Sequence, residues 1–255
     1  DGEGGVISLC GCTFSNNEGA VEGGGVYLFA YPPDVLEVNR CLFENNAAFA
    51  LDGSALGGGL RTGNAKLTLA NSAFVGNTAA SHGGGLWVDG SRISTITNCT
   101  FAGNSSGGAG FEAGYGGAIS GGNLLMTNLT IVGNTAGASG GAIFNEDEVS
   151  ILRNSVLADN TAENEWGISL SCRSPIDGAD NIQWPDQGEE ELCTSGTTYA
   201  DPALAPLADN GGATPTMAPD GGSPLLSAAL DHCPPDDQRG EPRLTPCDVG
   251  ALEIP

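Results

Sequence analysis

Phe74-Val75-Gly76-Asn77, followed six residues later by Gly83-Gly84-Gly85-Leu86, is one copy of a pattern that runs through most of the chain. An aromatic or aliphatic residue stands three positions before an asparagine at Phe14/Asn17, Phe43/Asn46, Phe74/Asn77, Phe101/Asn104, Ile131/Asn134 and Leu157/Asn160. The first members of these pairs lie 29, 31, 27, 30 and 26 residues apart. Between them the glycine mark recurs as Gly23-Gly24-Gly25-Val26, Gly57-Gly58-Gly59-Leu60, Gly116-Gly117-Ala118-Ile119 and Gly140-Gly141-Ala142-Ile143; the last pair is followed only by Trp166-Gly167-Ile168. A fixed period of this length belongs to a solenoid, in which no single turn buries a core and the stack is the folding unit.

The vocabulary of the repeat is that of strands and turns. Lys66-Leu67-Thr68-Leu69, Ile93-Ser94-Thr95-Ile96 and Leu124-Leu125-Met126-Thr127 alternate with period two, as half-buried strands do. Helical repeats would need longer runs of 3.6 periodicity, and glycine pairs in every turn would be costly there. The pattern predicts an all-β, single-stranded parallel β-helix of about six rungs over residues 1–171, each rung contributing about three short strands. Equivalent residues of successive rungs then lie about 4.8 Å apart, for a rod of roughly 29 Å. Phe14, Phe43, Phe74 and Phe101 are expected to stack inside. Asn17, Asn46, Asn77, Asn104, Asn134 and Asn160 are expected to form an amide ladder at a left-handed turn, with the glycines at an opposite corner.

Phe-x-x-Asn alternating with Gly-Gly-Ala-Ile resembles the repeat of the polymorphic outer membrane proteins and their wider relatives. The likeness covers about residues 5–170, with Gly-Gly-Gly replacing Gly-Gly-Ala in the first three rungs. It implies a right-handed β-helix and a surface location. Members of that group differ widely in what they bind.

Eight basic residues stand against 31 acidic ones, for a net charge of −23. Nucleic acid and anionic membrane surfaces need a basic stripe, so neither is an expected partner. Polyanionic polysaccharide is disfavoured unless calcium bridges it, and no run approaches the roughly 18 apolar residues of a membrane span. Eight cysteines point to an oxidising, extracellular setting. Cys172/Cys193 and Cys233/Cys247 are close in sequence and read as local staples. Cys12 and Cys41 share a position in adjacent rungs, within disulfide range at about 4.8 Å. Cys10 and Cys99 then remain as buried free thiols or as partners across a subunit contact. The glycosylation sequons at Asn98, Asn104 and Asn128 are expected to be silent, since such matches arise by chance in asparagine-rich repeats.

Beyond Cys172 the repeat ends and residues 172–255 become loop-rich, predicting a disulfide-stapled cap for the last rung. Asp201-Pro202, Asp209-Asn210-Gly211-Gly212, Gly222-Ser223-Pro224, Asp236-Asp237-Gln238-Arg239-Gly240 and Cys247-Asp248-Val249-Gly250-Ala251-x-Glu253 are together similar to the choice-of-anchor Q domain of secreted bacterial β-helix proteins. The resemblance implies an anchoring or sorting tail beyond Glu253, expected here to be absent or removed. Arg239 and Arg243 amid Asp248 and Glu253 read as a charge-assisted network that fixes the cap. No cofactor is expected; calcium is possible at Asp209, Asp220, Asp236 or Asp237, where oxygen ligands cluster at glycine turns.

Glycosidase chemistry would require two carboxylates about 5–9 Å apart. In the rung alignment Glu44 meets Val75, Ala102, Val132 and Ala158, while Asp159 meets Gly76, Gly103 and Gly133, so no pair recurs. His82 and His232 sit in unrelated segments and read as turn or surface residues rather than bases. Trp87 and Tyr115 are candidates for a sugar-stacking surface. The expectation is a secreted or cell-surface, non-enzymatic structural protein that associates head to tail, because strand material starts by Val6, leaving the first rung open at Val6, Ile7 and Leu9. The alternatives are a monomeric adhesin for glycan or protein, and a polysaccharide lyase or glycosidase.

Overall fold

The computed structural model describes residues 4–50, 54–107, 114–145, 149–163, 171–186 and 192–255; Trp166-Gly167-Ile168 lies outside them. The chain is an all-β parallel solenoid of about six turns, with no helix among the described residues. The first turn comprises β1 (Val6–Cys10), β2 (Thr13–Ser15), β3 (Glu18–Ala20) and β4 (Val26–Phe29), one strand in each of four sheets. Among the described residues the sheets hold seven, eight, six and five strands in that order, every neighbouring pair parallel and in register.

Four strands per turn, rather than the three expected, follow from the glycine segment. It is extended and paired backbone to backbone, Gly24 N–H to Gly57 O at 3.0 Å, Gly58 to Gly83 at 3.0 Å and Gly84 to Gly116 at 3.1 Å. It leads directly into a fourth strand such as Leu86–Val88. The first glycine of each mark carries the corner, with φ between 58° and 71°. The second has no room for a side chain: a Cβ on Gly84 would overlap the carbonyls of Gly117 and Ser105, in the next turn and the facing third sheet. The third position is less crowded and becomes Ala118 and Ala142 in later turns, both fully buried.

Inside, Phe14, Phe43, Phe74 and Phe101 stack with centroids 5.2, 4.6 and 4.7 Å apart and rings within 15° of parallel. Beside them runs the amide ladder. Asn46 Oδ1 accepts from the backbone N–H and the side-chain Nδ2 of Asn17, at 3.1 and 2.9 Å. Its Nδ2 donates to Asn77 Oδ1 and Phe14 O, both at 2.9 Å. Asn77, Asn104 and Asn134 repeat the arrangement, so each buried amide makes all four of its hydrogen bonds. The left-handed residues at this corner are Asn16, Asn45, Gly76, Gly103, Gly133 and Asp159, one position before the ladder rather than in it. The corner residue takes the positive φ so that the next side chain can point inward.

Disulfides join Cys172 to Cys193 and Cys233 to Cys247, with Cα–Cα distances of 5.2 and 6.0 Å. Cys12 and Cys41 are not bonded, against expectation. Their thiols point the same way, donating to Cys10 O and Asn39 O at 3.6 and 3.3 Å. In-register stacking holds such Cβ atoms about 4.8 Å apart, beyond the 3.5–4.5 Å a disulfide needs. Cys10 is exposed rather than buried, while Cys99 is wholly enclosed.

Residues 172–255 do two different things. Asp177–Ala179 and Ile182–Trp184 continue the first and second sheets. Cys172, Ile176 and Cys193 join the main core at the far end. The remainder, from about residue 201, also bonds to turns well before that end, as far back as Asn71. It runs back along the flank.

Two substitutions separate the ladder from the glycine corner. Asn104→Ala removes the acceptor of the Asn77 N–H and Nδ2 and the Nδ2 donor to Phe74 O, while Asn134 Oδ1 keeps only the backbone N–H of residue 104; it is expected to cost about 3 kcal/mol or more, read from the urea midpoint. Gly84→Ala, whose Cβ would lie 2.3 and 2.4 Å from two carbonyl oxygens, is expected to abolish cooperative unfolding, whereas Gly85→Ala, 2.8 Å from Ala118 O alone among backbone atoms, is expected to lower the midpoint but keep a cooperative transition.

Candidate functional site

The corner between the first and second sheets is built from left-handed residues: Arg40, Asn71, Asn98, Asn128, Asn154 and Asp180 on successive turns. Polar side chains here are partly buried because the C-terminal strap lies over them. Thr214 Oγ1 donates to Asn71 O at 3.3 Å and Asn98 Nδ2 to Asp236 O at 2.7 Å. Asn128 Nδ2 donates to the Asp248 and Gly250 carbonyls at 3.0 and 3.1 Å, and Asn154 Nδ2 to Asp231 O at 2.8 Å. Leu230 N–H reaches Asp180 Oδ2 at 3.3 Å. The strap therefore ties five consecutive turns together. Apolar contacts of Val156 and Ile182 with Leu225, Ala229, Cys247 and Val249 seal it, each fully buried aliphatic side chain contributing about 1.5–3 kcal/mol.

Arg239, Arg243, Asp248 and Glu253 meet in the strap, joined by Asp237. The Asp237 carboxylate accepts backbone N–H groups of Arg239, Glu241 and Glu253 at 2.8, 3.1 and 3.1 Å, and Arg239 Nε at 2.8 Å. Burial opposes its charge, but the hydrogen bonds from Arg239, Glu253 and Glu241 outweigh it and hold its pKa below the usual value. Arg243 pairs with Glu253 at 3.0 Å, both side chains almost fully enclosed, and donates to Asn98 Oδ1 at 3.1 Å. Burial pulls the Arg243 pKa down against the attraction of Glu253 and Asp237. Asp248 accepts the N–H groups of Ser227 and Ile254 at 2.7 and 2.8 Å. Every carboxylate here is engaged by the strap itself, which is the arrangement of a structural clasp.

This engagement removes Asp237 from the calcium candidates: its acceptor sites are filled by N–H donors. Asp209 Oδ1 accepts Gly211 N–H at 3.0 Å, while Asp220 and Asp236 are exposed on separate turns. Among the described residues no three His, Cys, Asp or Glu side chains converge on a metal position. Asn98, Asn104 and Asn128, the sequon asparagines, are all buried and hydrogen-bonded in the rod. His232 sits exposed at a left-handed turn with φ 60°.

The outer face of the fourth sheet brings together side chains far apart in sequence. Tyr27, Arg61, Trp87, Ser120 and Phe144 stand in register on successive turns. The Arg61 guanidinium lies 4.9 Å from the Tyr27 ring and 4.8 Å from Trp87, and it pairs with Glu22. His82 and Tyr115 form a parallel row, 5.0 Å apart, with Tyr115 4.7 Å from Phe144. Burial lowers the His82 pKa, which keeps the imidazole neutral near pH 7. Trp87 and Tyr115 thus share a face, but Arg61 and Phe144 occupy their ring surfaces. Arg61 gave no signal in sequence because its role depends on cross-turn register. At the open end of this face Tyr27, Phe29 and Tyr31 are exposed and pack ring to ring at 5.9 and 4.9 Å.

Residues 128–146, which include the Ile131/Asn134 pair and Gly140-Gly141-Ala142-Ile143, match the Chlamydia polymorphic membrane protein repeat. The repeat and the parallel solenoid together fit a β-helix of that type. No curated protein and no solved structure matches the chain. Among the described residues no helix is long and apolar enough to cross a membrane.

Asp237 binds fewer protons folded than unfolded. Its stabilisation is complete above the unfolded carboxyl value of about 4 and is lost as the pH falls through the lower folded value. Hydrogen exchange of residues 236–253 should therefore show protection at pH 6 and its loss in strong acid, and Asp237→Asn should weaken protection already at pH 6. Burial pushes the Cys99 thiol up to about 12. Iodoacetamide at pH 8 is expected to label Cys10 in the folded protein and Cys99 only after denaturation, as read by peptide mass spectrometry.

Proposed function

We propose that the chain is a non-enzymatic β-helical rod of a secreted or cell-surface protein, and that it assembles end to end through its first turn. The carrying observation is the state of the core there. Ile7 is 40% exposed, whereas Leu36, its partner one turn on, is 0% exposed. Leu9 and Phe14 are half-buried where Val38 and Phe43 are enclosed. Val6, pointing outward beside them, is also exposed. An edge with inward apolar residues and unpaired backbone is a template for further strand addition. The far end offers the outer edge of Thr198–Tyr199 in the second sheet, so a copy docking head to tail adds strand to parallel strand.

The polymorphic membrane protein repeat supports a surface location. The outward row of the second sheet supports a non-catalytic role: Ser15, Glu44, Val75, Ala102, Val132, Ala158 and Trp184 stack in register with a single carboxylate among them. A second reading, a monomeric surface adhesin for glycan or protein, is favoured by the exposed Tyr27, Phe29 and Tyr31 cluster.

Light scattering behind a sizing column, with negative-stain imaging, tests assembly. Oligomers or filaments growing with concentration are expected, and Ile7→Glu should return them to monomer. A wild-type monomer at every concentration up to the millimolar range would overturn the end-to-end reading and leave the adhesin reading standing.

A further inference from the structure

Where the strap begins, it stands away from the second sheet and leaves an open groove of about 390 Å³. Its floor is the outward row Val132, Ala158 and Trp184 on three successive turns. Its walls are Ala203, Leu204 and Met217, and its rim carries Asp159, Asp201 and Asp220. We propose that this groove binds a neutral saccharide, with the Trp184 indole as the stacking surface and the rim carboxylates as acceptors for sugar hydroxyls. The site lies on the flank, in turns remote from Ile7 and the first turn.

The lining selects this ligand class. Trp184 is partly exposed at the groove, unlike the neighbouring Ile182 and Gln183, which are buried. An aromatic face at a polar groove suits the C–H face of a pyranose, and ionised carboxylates are pure acceptors for O–H donors. Among the described residues no lysine, arginine or histidine lines the groove, so phosphate, sulfate and uronate groups are repelled. A compact cation would need the carboxylates to converge, and among the described residues no such three-ligand group exists. Acceptors spread around an aromatic floor fit hydroxyls spread around a sugar ring. The volume falls within the range of small-molecule sites.

The groove is also held in shape before any ligand arrives. Asp159 N–H donates to Trp184 O at 2.9 Å, fixing the floor against the rim. Asp201 Oδ1 accepts Ala203 N–H at 2.9 Å and Asp220 N–H donates to Ala203 O at 2.9 Å. Leu204 bridges Pro219 antiparallel, and Ser223 Oγ donates to Pro202 O at 2.6 Å. Walls ordered in this way lose little entropy on binding.

Isothermal titration of the intact chain with cellohexaose, xylohexaose, mannohexaose and chitohexaose tests the proposal, with spermine and hexalysine as cationic comparators. At least one neutral oligosaccharide is expected to bind, with Trp184→Ala weakening it tenfold or more and the rim variant Asp220→Asn severalfold. Asp220 is exposed, so its variant keeps the test open if Trp184→Ala fails to fold. Ile7→Glu, which addresses the first turn, should bind as the parent does. Failure of all four oligosaccharides, retention of binding in both groove variants, or binding of the cations in their place would overturn the proposal.

Discussion

An unpaired amide in the interior of a β-helix is the one error its core cannot absorb, and the asparagine column is the answer to that constraint. Each side chain from Asn46 to Asn134 has four hydrogen-bonding sites and four partner atoms, three in the turn before and one in the turn after. A shift of register by one residue would put a ladder of left-handed corner residues inside and strand every amide. The phenylalanine column cannot enforce this alone, since stacked rings tolerate small slips. The amides set the register, and the rings fill the space that register leaves.

That column governs the cross-section as well. Directing each asparagine inward requires a left-handed residue immediately before it, which is why Asn, Gly and Asp occupy positions 16, 45, 76, 103, 133 and 159. It also brings the third sheet close to the glycine segment, where the middle glycine lies against facing backbone. The glycine mark is therefore a packing requirement at its second position and a conformational one at its first. Both follow from the thin part of the interior beside the third sheet, lined by Ala48, Ala79, Ser106 and Ala136.

A rod stacked only by nearest-neighbour contacts can open anywhere along its length. The strap changes this, because residues from Thr214 to Gly250 bond to corners from Asn71 to Asp180 and connect turns that do not touch each other. Its own shape is held by Asp237, Arg239, Arg243 and Glu253, a buried charge cluster whose loss of one partner would leave the others uncompensated. The cluster looks like an active site by residue type. Its N–H partners identify it as a clasp.

The sequence by itself determined the period, the stacked columns and the local staples Cys172–Cys193 and Cys233–Cys247, because each depends on residues at fixed spacing. It also made the charge network legible, through two arginines in an acidic tail. Tertiary structure decided what periodicity does not encode. The fourth strand per turn arises from paired glycine backbone, which carries no alternation to read. Cys12 and Cys41 stay apart because in-register stacking fixes their Cβ separation, a matter of fractions of an ångström. The tail lies along the flank because the corner amides of Asn98, Asn128 and Asn154 donate to its carbonyls there, and nothing local to residues 201–255 specifies that partner. The Trp184 groove exists only because the tail departs from the second sheet at that point, so its residues, drawn from five stretches of the chain, share no spacing that a sequence could display.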